Sequence, residues 1–205
     1  MKIAVVVDVL RAFSTECIAF ERGAKAILLV SDADAAFRVK QANPEYLLVG
    51  ETNGLPIEGF DFGNSPTELA SVDVEGKILV HKTTAGVPAT LRALNNTEVD
   101  RVFVTGLMTA KLTADHAVQL GPVQYIASDP SGDEDIACID YMRGEINLSR
   151  TRQRIVASYA AQKFVHDNHS DFPRSDLDMC LRERDNGFVM EVRRGEAPMV
   201  ERVDL

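Results

Sequence analysis

Hydrophobic positions along this chain gather into short apolar runs, and stretches of helical spacing separate those runs. The first run, Ile3–Val7, is continuous rather than alternating, the pattern of a strand covered on both faces, as in a parallel α/β sheet. Further runs predict strands over residues 26–30, 46–49, 77–81, 101–105 and 123–127. Helical spacing covers residues 16–23, 32–41, 67–70, 88–94 and 108–120 between them. Regular alternation with short connections predicts an α/β fold, a three-layer α/β/α sandwich around a largely parallel sheet. The chain from Ser149 onward reads differently. One helix is expected over 151–165 with Tyr159 and Phe164 on its inner side, then a polar turn over 166–176 and a weakly alternating edge strand over 188–192. A single domain spanning 1–205 follows, with a motif-bearing body (1–150) and a C-terminal segment (151–205) that serves as cover or dimer contact, not chemistry.

The polar residues that follow the strands carry the chemical interest. Open α/β sheets bind ligands outside the carboxyl ends of their strands, where helix N-termini present free backbone N–H groups. Asp8 follows the first strand, with Arg11, Ser14 and Thr15 close behind. Glu51 follows the third, and the long Gly- and Pro-containing loop after it brings Asp61, Asn64 and Ser65. Thr83, Thr84 and Gly86 follow the fourth; Gly132, Glu134 and Asp135 follow the sixth. In a parallel sheet all four loops lie on one edge. Carboxylates gathered there repel one another unless a cation binds, so two or three of Asp8, Glu51, Asp61, Glu134 and Asp135 suit a magnesium ion. Thr83, Thr84, Gly86 and Arg11 suit phosphoryl oxygens. Each feature also has a plain structural role: Asp8 as a helix cap, Glu134 and Asp135 as partners of a helix dipole, and Asn64-Ser65-Pro66 as a turn before a capped helix.

Composition narrows the function. A net charge of −9 and a pI near 4.9 exclude a nucleic-acid binder, which needs a basic face. No apolar run approaches the ~18 residues of a membrane span, so a cytoplasmic location is expected. Cys17, Cys138 and Cys180 lack CxxC spacing, and His81, His116, His166 and His169 lack HxH or HExxH spacing. Neither a disulfide framework nor a zinc site is indicated.

The runs DVLRAFST, GETNGLPIEGFDFGNSP, KTTAGVPA and GDEDIAC, in this order, resemble the 2-phosphosulfolactate phosphatase family, the ComB-like proteins of coenzyme M biosynthesis. The resemblance spans roughly residues 3–150 and implies a magnesium-dependent α/β/α phosphatase that converts 2-phospho-3-sulfolactate and water to sulfolactate and phosphate. Carried over by position, it places Asp8, Arg11, Ser14, Thr15, Glu51, Gly54, Asp61, Asn64, Ser65, Thr83, Thr84, Gly86, Glu134 and Asp135 on the family motifs. The catalytic expectation falls on Asp8, Arg11, Glu51 and Asp61, the metal expectation on Asp8, Glu51, Glu134 and Asp135, with Asp8 either attacking phosphorus or ligating the metal while bound water attacks. Ala85 and Val87 stand where the family usually reads TTNGT, and Thr109 stands where it tends to carry asparagine. Each loss of an amide predicts a shift in substrate preference. The partner expected is a small phosphorylated 2-hydroxy acid or a related phosphomonoester, and a homodimer is an open expectation. The alternative is a non-catalytic phosphometabolite-binding member of the family.

Overall fold

A computed structural model describes residues 1–166 and 169–205. The chain forms an α/β fold whose strands are β1 (Ile3–Val7), β2 (Ala26–Leu29), β3 (Leu47–Thr52), β4 (Leu55–Pro56), β5 (Ile78–Lys82), β6 (Arg101–Thr105), β7 (Val123–Ala127), β8 (Phe188–Arg193) and β9 (Met199–Asp204). The helices that position the site are α1 (Ala12–Glu21), α2 (Ala33–Ala42), α3 (Pro66–Leu69), α4 (Gly86–Asn95), α5 (Ala110–Leu120) and α6 (Asp133–Met142), followed in the tail by α7 (Leu148–Ala157), α8 (Tyr159–His166) and α9 (Arg174–Cys180). β1 shows why continuous apolar runs matter. Ala4 and Val6 enter one core with α1 and α4, while Ile3, Val5 and Val7 enter another with α5 and α6. Successive side chains leave opposite faces of a strand, so β1 is buried on both.

The strand order is β4-β3-β5-β2-β9-β8-β6-β1-β7. Parallel pairing joins β3, β5 and β2 in one block and β6, β1 and β7 in another. Between the blocks lies the antiparallel hairpin β8-β9, which pairs with β6 on one side and β2 on the other. The expected edge strand is therefore central. Phe188, Val189 and Met190 are all buried, and the alternation is weak because Glu191 is accommodated mid-sheet by a bidentate pair with Arg101, both contacts at 2.5 Å. The strand β9 has no clear apolar run and escapes sequence reading.

Traced through the hairpin, the two parallel blocks run in opposite directions. In a flat sheet their carboxyl ends would lie on opposite edges. Five neighbour steps separate β1 from β5; roughly 20–25° of twist per step turns the strands through roughly 100–125°. Twist of this size removes the simple opposition of the two blocks, and the loops after β1 and β5 do meet: a Cβ on Gly86 would lie 2.7 Å from the Asp8 carboxylate.

The helix expected over 151–165 is broken. Ser158 is extended and its Oγ accepts from the Ala161 N–H at 3.3 Å, so it ends α7 and caps α8, as Ser commonly does. The break turns Tyr159 outward, 97% exposed, while Phe164 is buried. The expected turn over 166–176 contains residues 167 and 168, which lie outside the described residues; its end is helical, within α9.

The central position of β8 yields a test. Phe188→Ala is expected to lower stability by about 3–5 kcal/mol, whereas Tyr159→Ala should stay within about 0.5 kcal/mol. Urea denaturation of both variants measures the contrast; a Phe188→Ala midpoint equal to wild type contradicts the placement of the hairpin.

Candidate active site

A cleft of about 620 Å³ opens where the loops after β1, β3, β5 and β7 face α8. A groove of about 710 Å³ near α2 and α4 has Arg38, Arg194 and Glu196 as its charged lining. Arg194 is engaged by the carbonyls of Leu94, Asn96 and Val99, and none of the polar strand-end loops reaches that groove. The chemistry belongs to the cleft.

Asp8 lies at its floor, 5% exposed. One carboxylate oxygen accepts from the Ala12 N–H at 3.2 Å, as a helix cap would. The other faces the start of α4, where a Cβ on Gly86 would come within 2.7 Å of it. Glycine is thus required for that helix to approach. Burial, opposed by the Ala12 N–H and reinforced by the charges of Glu51 and Glu134, pushes the Asp8 pKa up to about 6.

Glu51 is held at the end of β3 by a close backbone approach. A Cβ on Gly50 would meet the Lys82 carbonyl at 2.0 Å, and φ there is +150°. Its Oε1 accepts from the Thr84 N–H at 2.5 Å; its Oε2 accepts from the Gly54 N–H at 2.5 Å and the Thr84 hydroxyl at 2.9 Å. Glu51 therefore braces the β3 loop against the β5 loop. Asp135 does the same for β1 and β7: Oδ1 accepts from the Val9 N–H at 2.9 Å, and Oδ2 from the Ser128 N–H at 3.1 Å and hydroxyl at 2.8 Å. Burial first, then the Asp8 charge, raises its carboxyl well above the usual range. Glu134, in the first turn of α6, borders the cleft and is also raised by burial.

Other expected site residues are placed elsewhere. Asp61 accepts from the Leu48 N–H at 2.7 Å and pairs with Lys40 at 3.1 Å, near the start of β3 and away from Glu51 at its end. The loop doubles back along β3, with Phe62 bridging Val49, which spacing does not reveal. Ser14 donates to the Val9 carbonyl and Thr15 to the Asn64 carbonyl, both in the interior. Ser65 caps α3 and donates to Asp176 at 2.7 Å. The Thr83 hydroxyl accepts from the Val87 N–H at 2.9 Å. Arg11 is not an open phosphate clamp: its guanidinium donates to Asp176 at 2.7 Å, to the Asp171 carbonyl at 2.8 Å and to the Gly54 carbonyl at 2.9 Å. The Phe164 and Phe172 rings lie 5.2 Å from it. Asp8, Arg11, Glu51, Asn64, Thr84 and Glu134 do meet at the cleft.

The tail, expected as cover, also contributes to the lining of the cleft. Lys163, half-buried on α8, lines the cleft with its ammonium 4.6 Å from the Phe172 ring centre. Burial, then the Arg11 charge, lowers its pKa. No spacing signal marks Lys163 or Asp176 in the sequence; an amphipathic helix and a turn are their ordinary readings. Of the substituted positions, Ala85 lines the cleft, whereas Val87 is fully buried. Thr109 pairs with the Thr105 hydroxyl at 2.9 Å, also in the interior. Only Ala85 removes a donor that a ligand would meet.

Among the described residues, no helix is long and apolar enough to cross a membrane. The family model for 2-phosphosulpholactate phosphatase matches residues 1–194. A Bacillus subtilis protein named "Probable 2-phosphosulfolactate phosphatase" is 42% identical over 98% of this chain and 92% of its own length. A Clostridium perfringens protein of the same name is 31% identical over 98% and 90%, and a Deinococcus radiodurans protein 40% identical over 57% and 48%. The match runs through both the strand-end loops that build the cleft and most of the tail that closes it, and the chain belongs to the 2-phosphosulpholactate phosphatase family.

Proposed function

We propose that the chain hydrolyses a small phosphorylated 2-hydroxy acid of the 2-phosphosulfolactate kind, with magnesium as its cofactor. The observation that carries the reading is the convergence of the N-terminal ends of α1, α4 and α6 around Asp8 and the cleft. Helix N-termini favour phosphate through their unpaired N–H groups and dipoles. Among the described residues, the Ala85 and Gly86 N–H groups donate to no protein oxygen. They are available to equatorial phosphoryl oxygens.

The donor set fits a hard cation that keeps most of its water. Asp8 and Glu134 border the cleft, whereas the oxygens of Glu51 and Asp135 are taken by N–H and O–H donors. Magnesium is commonly bound by one or two carboxylates and substrate phosphate, the number that Asp8 and Glu134 could supply. Asp8 and Glu134 would hold the ion, which when bound would supply charge neutralisation at the phosphoryl group. Asp8, raised to about 6 in the metal-free site by burial and the charges of Glu51 and Glu134, would be ionised beside the cation and would orient the attacking water, whose proton passes to solvent. The water oxygen bonds to phosphorus, the ester P–O bond breaks, and the alcohol leaves with a proton from solvent. Lys163 faces the remaining carboxylate or sulfonate of the substrate.

Phosphate release from 2-phosphosulfolactate, phospholactate and an aryl phosphate, with magnesium or chelator, tests the reading. Metal-dependent release is expected, with Asp8→Asn lowering kcat by about a hundredfold or more. No release from any ester in the presence of magnesium sinks the proposal. Lys163→Ala is expected to raise KM about tenfold for 2-phosphosulfolactate and to leave the aryl phosphate nearly unchanged; equal effects on both esters remove Lys163 from recognition.

Asp8 also predicts a trade of stability for function. Its folded pKa of about 6 exceeds the 3.8 of an ordinary aspartate, so ionisation destabilises the fold and protonation relieves it. Asp8→Asn is expected to be more stable than wild type by on the order of 1–3 kcal/mol at about pH 7.5. The gap should close as pH falls from about 6 toward 4. Urea midpoints in metal-free buffer measure it, and a gap that widens at low pH contradicts the assignment.

A further inference from the structure

Beneath the cleft floor lies a polar network that the reaction above does not use. Glu16 on α1 and His81 on β5 are enclosed, at 1% and 0% exposure. His81 Nδ1 lies 2.8 Å from Glu16 Oε1, and His81 Nε2 lies 3.2 Å from Asn64 Oδ1. Around the pair are Ala19, Ile27, Val49, Leu69 and Leu79, with Thr15 as the other polar neighbour. Glu16 Oε2 has no partner among the described residues. An ionisable pair in such surroundings is often no more stable than apolar residues of equal volume. Its connection to Asn64, which lines the cleft, gives it a different use.

Hydrogen bookkeeping sets the direction of the Asn64 carboxamide. Burial favours a protonated Glu16, raising its pKa against the pull of His81. A net-neutral Glu16–His81 pair, the charge state that burial favours, carries two protons: one lies between Glu16 and Nδ1, on either partner, and the other lies on Nε2. Nε2–H donates to Asn64 Oδ1, and the Asn64 Nδ2 hydrogens are left for the cleft side. Nδ2 donates to no acceptor among the described residues, and the Thr15 hydroxyl donates to the main-chain carbonyl of Asn64 at 3.2 Å, fixing the backbone there. The opposite tautomer, with Nε2 bare, would reverse the amide and present its oxygen to an anionic ligand.

We propose that Glu16 and His81 are positioning residues, holding the Asn64 carboxamide so that its N–H groups donate to an oxygen of the phosphoryl group bound in the cleft. The inference rests on the phosphatase reading of that cleft. The pair touches no substrate and acts through Asn64 alone.

Long-range proton–nitrogen spectra of the wild-type chain read the His81 ring directly. A protonated Nε2 is expected, and a bare Nε2 overturns the proposal. Titration with inorganic phosphate and magnesium is expected to shift the Asn64 side-chain amide signals; an unmoved amide, with other cleft signals shifting, also overturns it. In kinetics, Asn64→Ala is expected to lower kcat/KM about tenfold to a hundredfold. His81→Leu should lower it by a similar factor, and the double variant no further than Asn64→Ala. His81→Gln, whose amide N–H restores a donor toward Asn64, should recover most of the loss. Additive losses, or wild-type kcat/KM in His81→Leu, overturn the proposal. If His81→Leu does not fold, the two wild-type spectroscopic readings decide. A wild type that releases no phosphate refutes the phosphatase reading separately, since the spectra still report how Asn64 is held.

Discussion

Arg11 carries a charge with almost no access to water, its side chain 4% exposed beside a fully enclosed Asp176. Such a charge is tolerable only where its donors are met, and the acceptors come from distant parts of the chain. Gly54 follows β3, Asp171 precedes α9 and Asp176 lies within it. Asp176 in turn accepts from the Ser65 hydroxyl and the Thr67 N–H at the start of α3. Moving the tail away would strand Arg11, Asp176 and a helix terminus together. The tail is thereby committed to the cleft, and α8 arrives with Phe164 against Arg11 and Lys163 over the opening.

That constraint divides what could be read from the sequence. The covered strands and the polar loops after them were legible because continuous apolar runs and abrupt polarity at their ends are local properties. Asp8, Glu51, Thr84 and Glu134 do meet. The route by which they meet was not legible, since it depends on a hairpin from the end of the chain entering mid-sheet and on twist summed over several strands. Glu191 illustrates the difficulty, a charge in a central strand whose partner, Arg101, lies 90 residues away. Asp61 lies apart from Glu51 for a related reason: its loop folds back along β3, so proximity in sequence places it toward the opposite strand end.

Crowded acids in a site for an anionic ester look self-defeating, yet the carboxylates have separate tasks. Glu51 and Asp135 each accept several N–H and O–H bonds, and such bonds stabilise carboxylates that brace loops. Asp8 accepts from the Ala12 N–H, and burial outweighs that bond and the nearby Ser128 hydroxyl to leave its pKa raised. Groups with shifted pKa values concentrate at functional sites. Asp135 is raised by burial as well, so what separates the two is hydrogen bonding: both Asp135 oxygens are taken by the loops it braces, whereas one Asp8 oxygen accepts from the Ala12 N–H and the other faces the start of α4.

The same division bears on specificity. The floor of the cleft, built from the loops of the body and three helix N-termini, offers what any phosphomonoester shares. Of the positions that depart from the family pattern, Thr109 and Val87 are interior, and Ala85 lines the cleft. Loss of one donor at Ala85 weakens one contact, whereas the charge of a second acidic group on the substrate needs a cation to answer it. Arg11 is committed to Asp176, and Lys82 lies against the Glu51 carbonyl and the Thr52 hydroxyl. Lys163 is left as the cation that lines the cleft without a carboxylate pair among the described residues. Discrimination among esters in the proposed reaction therefore rests on the tail, and phosphate capture on the body; the Arg11–Asp176 contact holds the two in register.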